Sequence, residues 1–298
     1  MTPDQKDPTI NHVDSAHQGH DEEAKKDARF EEIRKNTIIE GLLAGKNLQE
    51  IMESIDNLSE MFKRALDTVV CADGRVPATI DGVKLGIAGQ GILLPPEEYK
   101  KLVEVLKVSG VKTVTSHDGC GAAGIVYDKM KEAGTLPKGI NSSDELGRWF
   151  SKKLAGDIGA EHYHISMEEM NGMEGEHGKL HEEQGVWIDT TKRANPAALS
   201  KKDVPPVYVA SGAGFEISEE ECQKEIEALA GISLGDHGFG KRFTTENPFY
   251  FIISAKDEAD LAKWTAMAER AASKLNGRVA VKGFIVSEEI QKEYFDKK

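Results

Sequence analysis

Cys71, His117 and Cys120 are the residues of this chain best suited to chemistry. Two thiols and one imidazole form a zinc-type ligand set, and three protein ligands leave the fourth tetrahedral position open, as in catalytic rather than structural sites. The chain of 298 residues has only three cysteines, and two of them belong to this group. His117 and Cys120 are close enough in sequence to reach one ion from a single turn, and Gly119 and Gly121 allow that turn to be tight.

These side chains need elements to bring them together. Thr68-Val69-Val70 runs into Cys71, and Val111-Lys112-Thr113-Val114-Thr115 runs into Ser116-His117. Both runs are rich in β-branched residues and soon meet glycine, so both read as buried strands that stop at a turn. As parallel neighbours their carboxyl ends would lie side by side. The three ligands would then converge at the edge where open α/β sheets place ligands.

The text around the ligands carries a resemblance. Cys71-Ala72-Asp73-Gly74-Arg75 followed by His117-Asp118-Gly119-Cys120-Gly121 resembles the Cys-x-Asp-x-Arg and His-x-x-Cys-Gly signature of the β-class carbonic anhydrases. The similarity runs over roughly residues 40–165. Leu106, Gly110-Val111-Lys112 and Gly121-Ala122 resemble the family's second motif, and Ala88-Gly89 its Arg-Asn-Ala-Gly segment. Gly74 stands where serine is usual, and Gly86-Ile87 where Arg-Asn is usual.

The resemblance implies zinc-dependent, reversible hydration of carbon dioxide to bicarbonate, with Zn2+ on Cys71, His117 and Cys120. It implies that Asp73 and Arg75 pair as the catalytic dyad, the guanidinium orienting the carboxylate. In some family members the equivalent aspartate instead ligates zinc. His162 and His164 read as structural or surface residues, with a proton relay to solvent as the alternative. The family also implies a homodimer or homotetramer. Other functions compatible with the ligand set are hydrolysis of carbon disulfide or carbonyl sulfide on the same fold, and non-catalytic zinc binding.

Composition narrows the classes further. A formal net charge of −13 argues against nucleic acid or an anionic membrane surface as partner. Three scattered cysteines make no disulfide framework and point to a reducing compartment. Met1 to Lys26 is polar without an apolar stretch, and no run approaches the ~18 apolar residues of a membrane helix, so the expected location is the cytoplasm.

Along the chain, residues 1–21 read as a disordered tail, with His12, His17 and His20 as an alternative metal-binding group. A helical arm is expected over Asp21 to Ala44, either packed on its own domain or laid across a partner. Further helices follow at Asn47, at Pro95 or Pro96, over Gly121 to Glu132, and from the Ser142-Ser143-Asp144-Glu145 capping box, with Leu146, Trp149, Phe150 and Leu154 inward. Gly86-x-x-Gly89-x-Gly91 reads as a tight turn where backbone approaches the metal ligands.

Residues 167–200 hold His177 and His181 at helical ligand spacing, with a surface loop as the plainer reading. Cys222 reads as an ordinary helix residue among acids. Strands at 162–165, 186–188, 207–210, 249–254 and 279–286 alternate with helices. The fold class is therefore α/β, a mainly parallel sheet flanked by helices. In the light of the resemblance it is β-carbonic-anhydrase-like, with an N-terminal helical arm and an extended C-terminal α/β portion. Residues 22–298 are expected to form a single zinc domain, with core 40–165 and a divergent extension over 166–298.

Overall fold

The computed structural model describes residues 23–71, 83–171, 183–205, 207–210, 218–235 and 239–295. The N-terminal tail, Asp73, Gly74, Arg75, His177 and His181 lie outside the described residues.

The strands are β1 Leu66–Val70, β2 Val83–Gly86, β3 Thr113–His117, β4 Glu161–Ile165, β5 Gly185–Asp189, β6 Val207–Ala210, β7 Phe249–Ala255 and β8 Val279–Ile285. The helices are α1 over 23–33, α2 Thr37–Leu43, α3 Leu48–Glu53, α4 Pro96–Val108, α5 Gly121–Glu132, α6 Ser143–Ile158, α7 Met167–Asn171, α8 Glu219–Ser233, α9 Glu258–Ser273 and α10 Glu288–Ile290. The chain is thus α/β, and every strand pairing recorded is parallel. Among the described residues no helix is long and apolar enough to cross a membrane.

The strands form two four-stranded sheets, ordered β2-β1-β3-β4 and β6-β5-β7-β8. The second half of the chain therefore builds a sheet of its own rather than widening the first. The two orders are the same: the first strand of each half is inner, flanked by the second and third, with the fourth outside. No repeat is visible in the residues, because the repeat is one of topology. The β2 and β6 edges pack against each other where the sheets meet.

Alternation along β7 explains how the second sheet is held. Phe249, Phe251 and Ile253 enter one core, shared with Val69, Leu85 and Val114 of the first sheet. Tyr250 and Ile252 enter another, with Trp187, Phe284, the arm residues Ile38 and Ile39, and Ile51, Met52, Met61 and Phe62 from the segment that follows the arm. A period of two sends consecutive side chains to opposite faces, so β7 is buried along its whole length. The N-terminal arm thus packs on the chain's own second sheet.

Two expectations change locally. The first helix is broken at Asn36, whose side-chain amide donates to the Ile33 carbonyl while its oxygen accepts from the Ile39 amide. One asparagine closes α1 and caps α2. In α6, Leu146 and Leu154 are buried as expected, but Trp149 is 41% exposed, and Gly147, Ser151 and Ala155 take the inner face instead.

Candidate metal centre

β1 and β3 are parallel neighbours, so their carboxyl ends deliver Cys71 and His117 to the same edge. Cys120 then follows a turn in which Gly119 has φ of 67°, a left-handed conformation that favours glycine. Cys71, His117 and Cys120 are all buried, and their ligand atoms lie within 4.8 Å of one another. This group could hold a metal ion. The Cys71 and Cys120 sulfurs are 3.9 Å apart, far beyond a disulfide bond.

Each ligand is held by a specific neighbour. His117 Nδ1 lies 2.8 Å from the Asp118 carbonyl oxygen, which can only accept. The proton therefore sits on Nδ1, and the lone pair of Nε2 is left for a metal. Cys71 Sγ accepts the Gly89 amide at 3.2 Å. A Cβ on Gly89 would stand 2.9 Å from Ala122 Cβ and 3.6 Å from Cys120 Sγ, so the backbone approaches as the glycine spacing suggests.

Cys120 caps the N-terminus of α5. Its thiol is drawn well below the ordinary range, first by the hydrogen bond with Cys71 and, against burial, by His117 and the Ala123 amide. A helix N-terminus favours a thiolate for the same reason it favours any anion. Ala123 completes the small buried cluster with the two thiols, and Ile92 and Ala122 pack against it.

His162 and His164 do not join the ligands. Parallel neighbours share a face, and both imidazoles meet Ser116, at 2.9 Å from His162 Nε2 and 2.8 Å from His164 Nδ1. Ser116 points to the face of β3 opposite His117. Burial, and then the cations Lys152 beside His162 and Arg148 beside His164, hold both imidazoles below the ordinary histidine range, with Asp118 and Glu169 opposing at His164. The unfolded chain takes up protons near pH ~6.5 that the fold resists, so this stability is complete above that pH and declines as pH falls toward the folded values. Unfolding midpoints should therefore drop between about pH 7.5 and about pH 5.5, and drop less in a His162→Gln/His164→Gln chain. Equal drops in both chains would remove these histidines from the account.

The second sheet offers a comparison. At the end of β5, Asp189 is fully buried, but its carboxylate is taken by donors of its own loop, the amides of Thr191, Arg193 and Ala194 and the Thr191 hydroxyl, and by the Ser254 hydroxyl of the neighbouring β7. Trp187 Nε1 donates in turn to Ser254 Oγ. Among the described residues, Cys71, His117 and Cys120 form the one group with metal-ligand geometry. Cys222 is buried within α8, and burial, followed by Glu225, raises its thiol pKa, in keeping with an inert helix residue.

The sequence motifs give no role to Asp118, whose carbonyl meets His117 Nδ1, or to Asp144, Arg148 and Ser151, which stand one contact further out. The only signal for Asp144 is its place in the capping box, which explains a helix start and not a site. No family model, curated protein or solved structure matches this chain.

Proposed function

We propose that the chain is a zinc enzyme that hydrates carbon dioxide reversibly to bicarbonate, with a fold like that of the β-class carbonic anhydrases. The observation that carries the reading is the mutual approach of two buried thiols and one buried imidazole. Zinc–sulfur bonds of about 2.3 Å at a tetrahedral centre separate two sulfurs by roughly 3.8 Å. The observed 3.9 Å fits without rearrangement. Two thiolates balance the charge of Zn2+, which suits an apolar setting.

Zinc held there would supply Lewis acidity, lowering the pKa of water in its open position. The chain's own residues do the rest. Cys71, Cys120 and His117 Nε2 would hold the ion. Ala122, Ala123 and Ile92 keep the surroundings apolar, which favours a small apolar substrate. By the resemblance, Asp73 would accept a hydrogen bond from the attacking oxygen and aim its lone pair, and Arg75 would pair with Asp73 and orient its carboxylate. These two roles rest on the sequence pattern alone. One C–O bond forms between water oxygen and the carbon of carbon dioxide while one C=O π bond breaks and its electron pair moves to oxygen; an O–H bond of the water breaks and that proton passes to buffer, leaving bicarbonate.

The test is stopped-flow hydration by the zinc-loaded chain, beside a Cys120→Ser variant, across roughly pH 7 to 9, the range in which zinc-bound water ionises. A rate well above the variant's is expected. No excess rate at any pH would overturn the proposal, and turnover of carbonyl sulfide or carbon disulfide instead would reassign the substrate.

A further inference from the structure

We propose that α6 is the positioning element of the metal centre, acting through Asp144, Arg148 and Ser151 on the residues that hold all three ligands. The inference rests on the reading of Cys71, His117 and Cys120 as metal ligands. It adds a set of residues that touch neither metal nor substrate.

Asp144 and Arg148 are four apart on one helix and so share a face; Ser151 continues it one turn later. Asp144 Oδ1 accepts the Gly119 amide at 2.8 Å, pinning the left-handed residue just before Cys120. Arg148 lies 3.6 Å from Asp118 Oδ1 and donates to His164 Nε2 at 2.5 Å, with His164 Nε2 itself 3.1 Å from the same carboxylate oxygen. The other oxygen of Asp118 accepts the Met167 amide, and the Asp118 amide donates to the Ile165 carbonyl. Asp118 is thus tied at its amide and at both carboxylate oxygens, which leaves its carbonyl aimed at His117 Nδ1.

Ser151 is fully buried and donates to Gln90 Oε1 at 3.3 Å. Gln90 and Gly89 both have positive φ, and Gly89 is the residue whose amide meets Cys71. A short turn in that conformation needs an external anchor, and the Gln90 side chain supplies one.

One helix face therefore reaches His117 through Asp118, Cys120 through Gly119, and Cys71 through Gln90 and Gly89. A metal centre tolerates little misplacement of its ligands, and loss of outer partners of this kind costs about 10–100-fold in metal affinity or activity.

The test measures zinc affinity by chelator competition and the visible absorption of the cobalt-substituted chain. The variants are Asp144→Ala, Arg148→Ala, Ser151→Ala and the Asp144→Ala/Arg148→Ala pair. Asp144→Asn keeps a carbonyl acceptor for the Gly119 amide and serves as the conservative replacement. The pair should bind zinc about 10–100-fold more weakly and shift the cobalt–thiolate bands, with Asp144→Asn close to the parent.

Arg148 is 44% exposed, so Arg148→Ala alone carries the comparison should the pair fail to fold. Unchanged affinity and unchanged bands would overturn the proposal while leaving the metal site standing. Weaker binding with unchanged bands and a matching loss of metal-free stability would also overturn it, as a purely structural effect. A parent chain that binds no zinc would overturn the site reading and this inference with it.

Discussion

Cys120→Ser should leave the chain folded and strip it of metal. Serine is a favoured residue at a helix N-cap, so α5 keeps a competent start. Its hydroxyl is a far poorer zinc ligand than a thiolate, because it does not ionise near neutral pH. The loss should exceed the roughly hundredfold upper range for outer partners. Metal analysis after dialysis should find one zinc per parent chain and none in the variant, with unchanged far-ultraviolet circular dichroism. Cys71→Ser should do the same, although Cys71 ends a strand instead of starting a helix. Full zinc retention by either variant would mean that the cluster is only a packed pair of thiols.

Asp189→Ala should be the most damaging polar substitution in the second sheet. It removes an acceptor shared by three amides and two hydroxyls, all inside the fold. Stranded donors cost about 1–3 kcal/mol each, and breaking a buried charged network costs about 3–5 kcal/mol. We expect about 3–5 kcal/mol from denaturant unfolding, reduced by any water that enters the gap. Asp189→Asn keeps one oxygen acceptor and should lose less. A cost below about 1 kcal/mol, the net worth of a single hydrogen bond, would show that the loop can re-pair its donors elsewhere.

The contrast between these substitutions follows the topology. Both sheets have the same strand order. In the first sheet Cys71 follows β1 and gathers with His117 and Cys120; in the second, the Asp189 carboxylate at the end of β5 anchors the residues that follow it. Nothing in Val186-Trp187-Ile188-Asp189 announces this, since an aspartate after an apolar run reads as an ordinary turn. The five donors come from the residues that follow it and from Ser254, a neighbour only once β5 and β7 pair.

Helices and strands were largely legible. The run from Phe249 reads as a strand because its residues are β-branched or aromatic, and it is one. The break at Asn36 escaped periodicity because apolar spacing continues through it, while the decisive hydrogen bonds belong to a single side chain. Trp149 misled for the opposite reason. Aromatic size suggests burial, but close packing of α6 favours the small residues Gly147 and Ser151; a Cβ on Gly147 would come within 3.1 Å of Ala123.

Residue type picked out Cys71, His117 and Cys120 as candidate ligands; the reach of one turn joined His117 to Cys120, and two β-branched runs read as parallel strands brought in Cys71. Residue type and spacing also set the strand–helix alternation, which follows from propensity and period. The partition into two sheets, the arm lying on the second of them, the imidazole pair turned away from His117 and the contacts of α6 with Asp118, Gly119 and Gln90 came from segments far apart in the chain. Composition and periodicity carry no distances, and those contacts exist only after the sheets have packed.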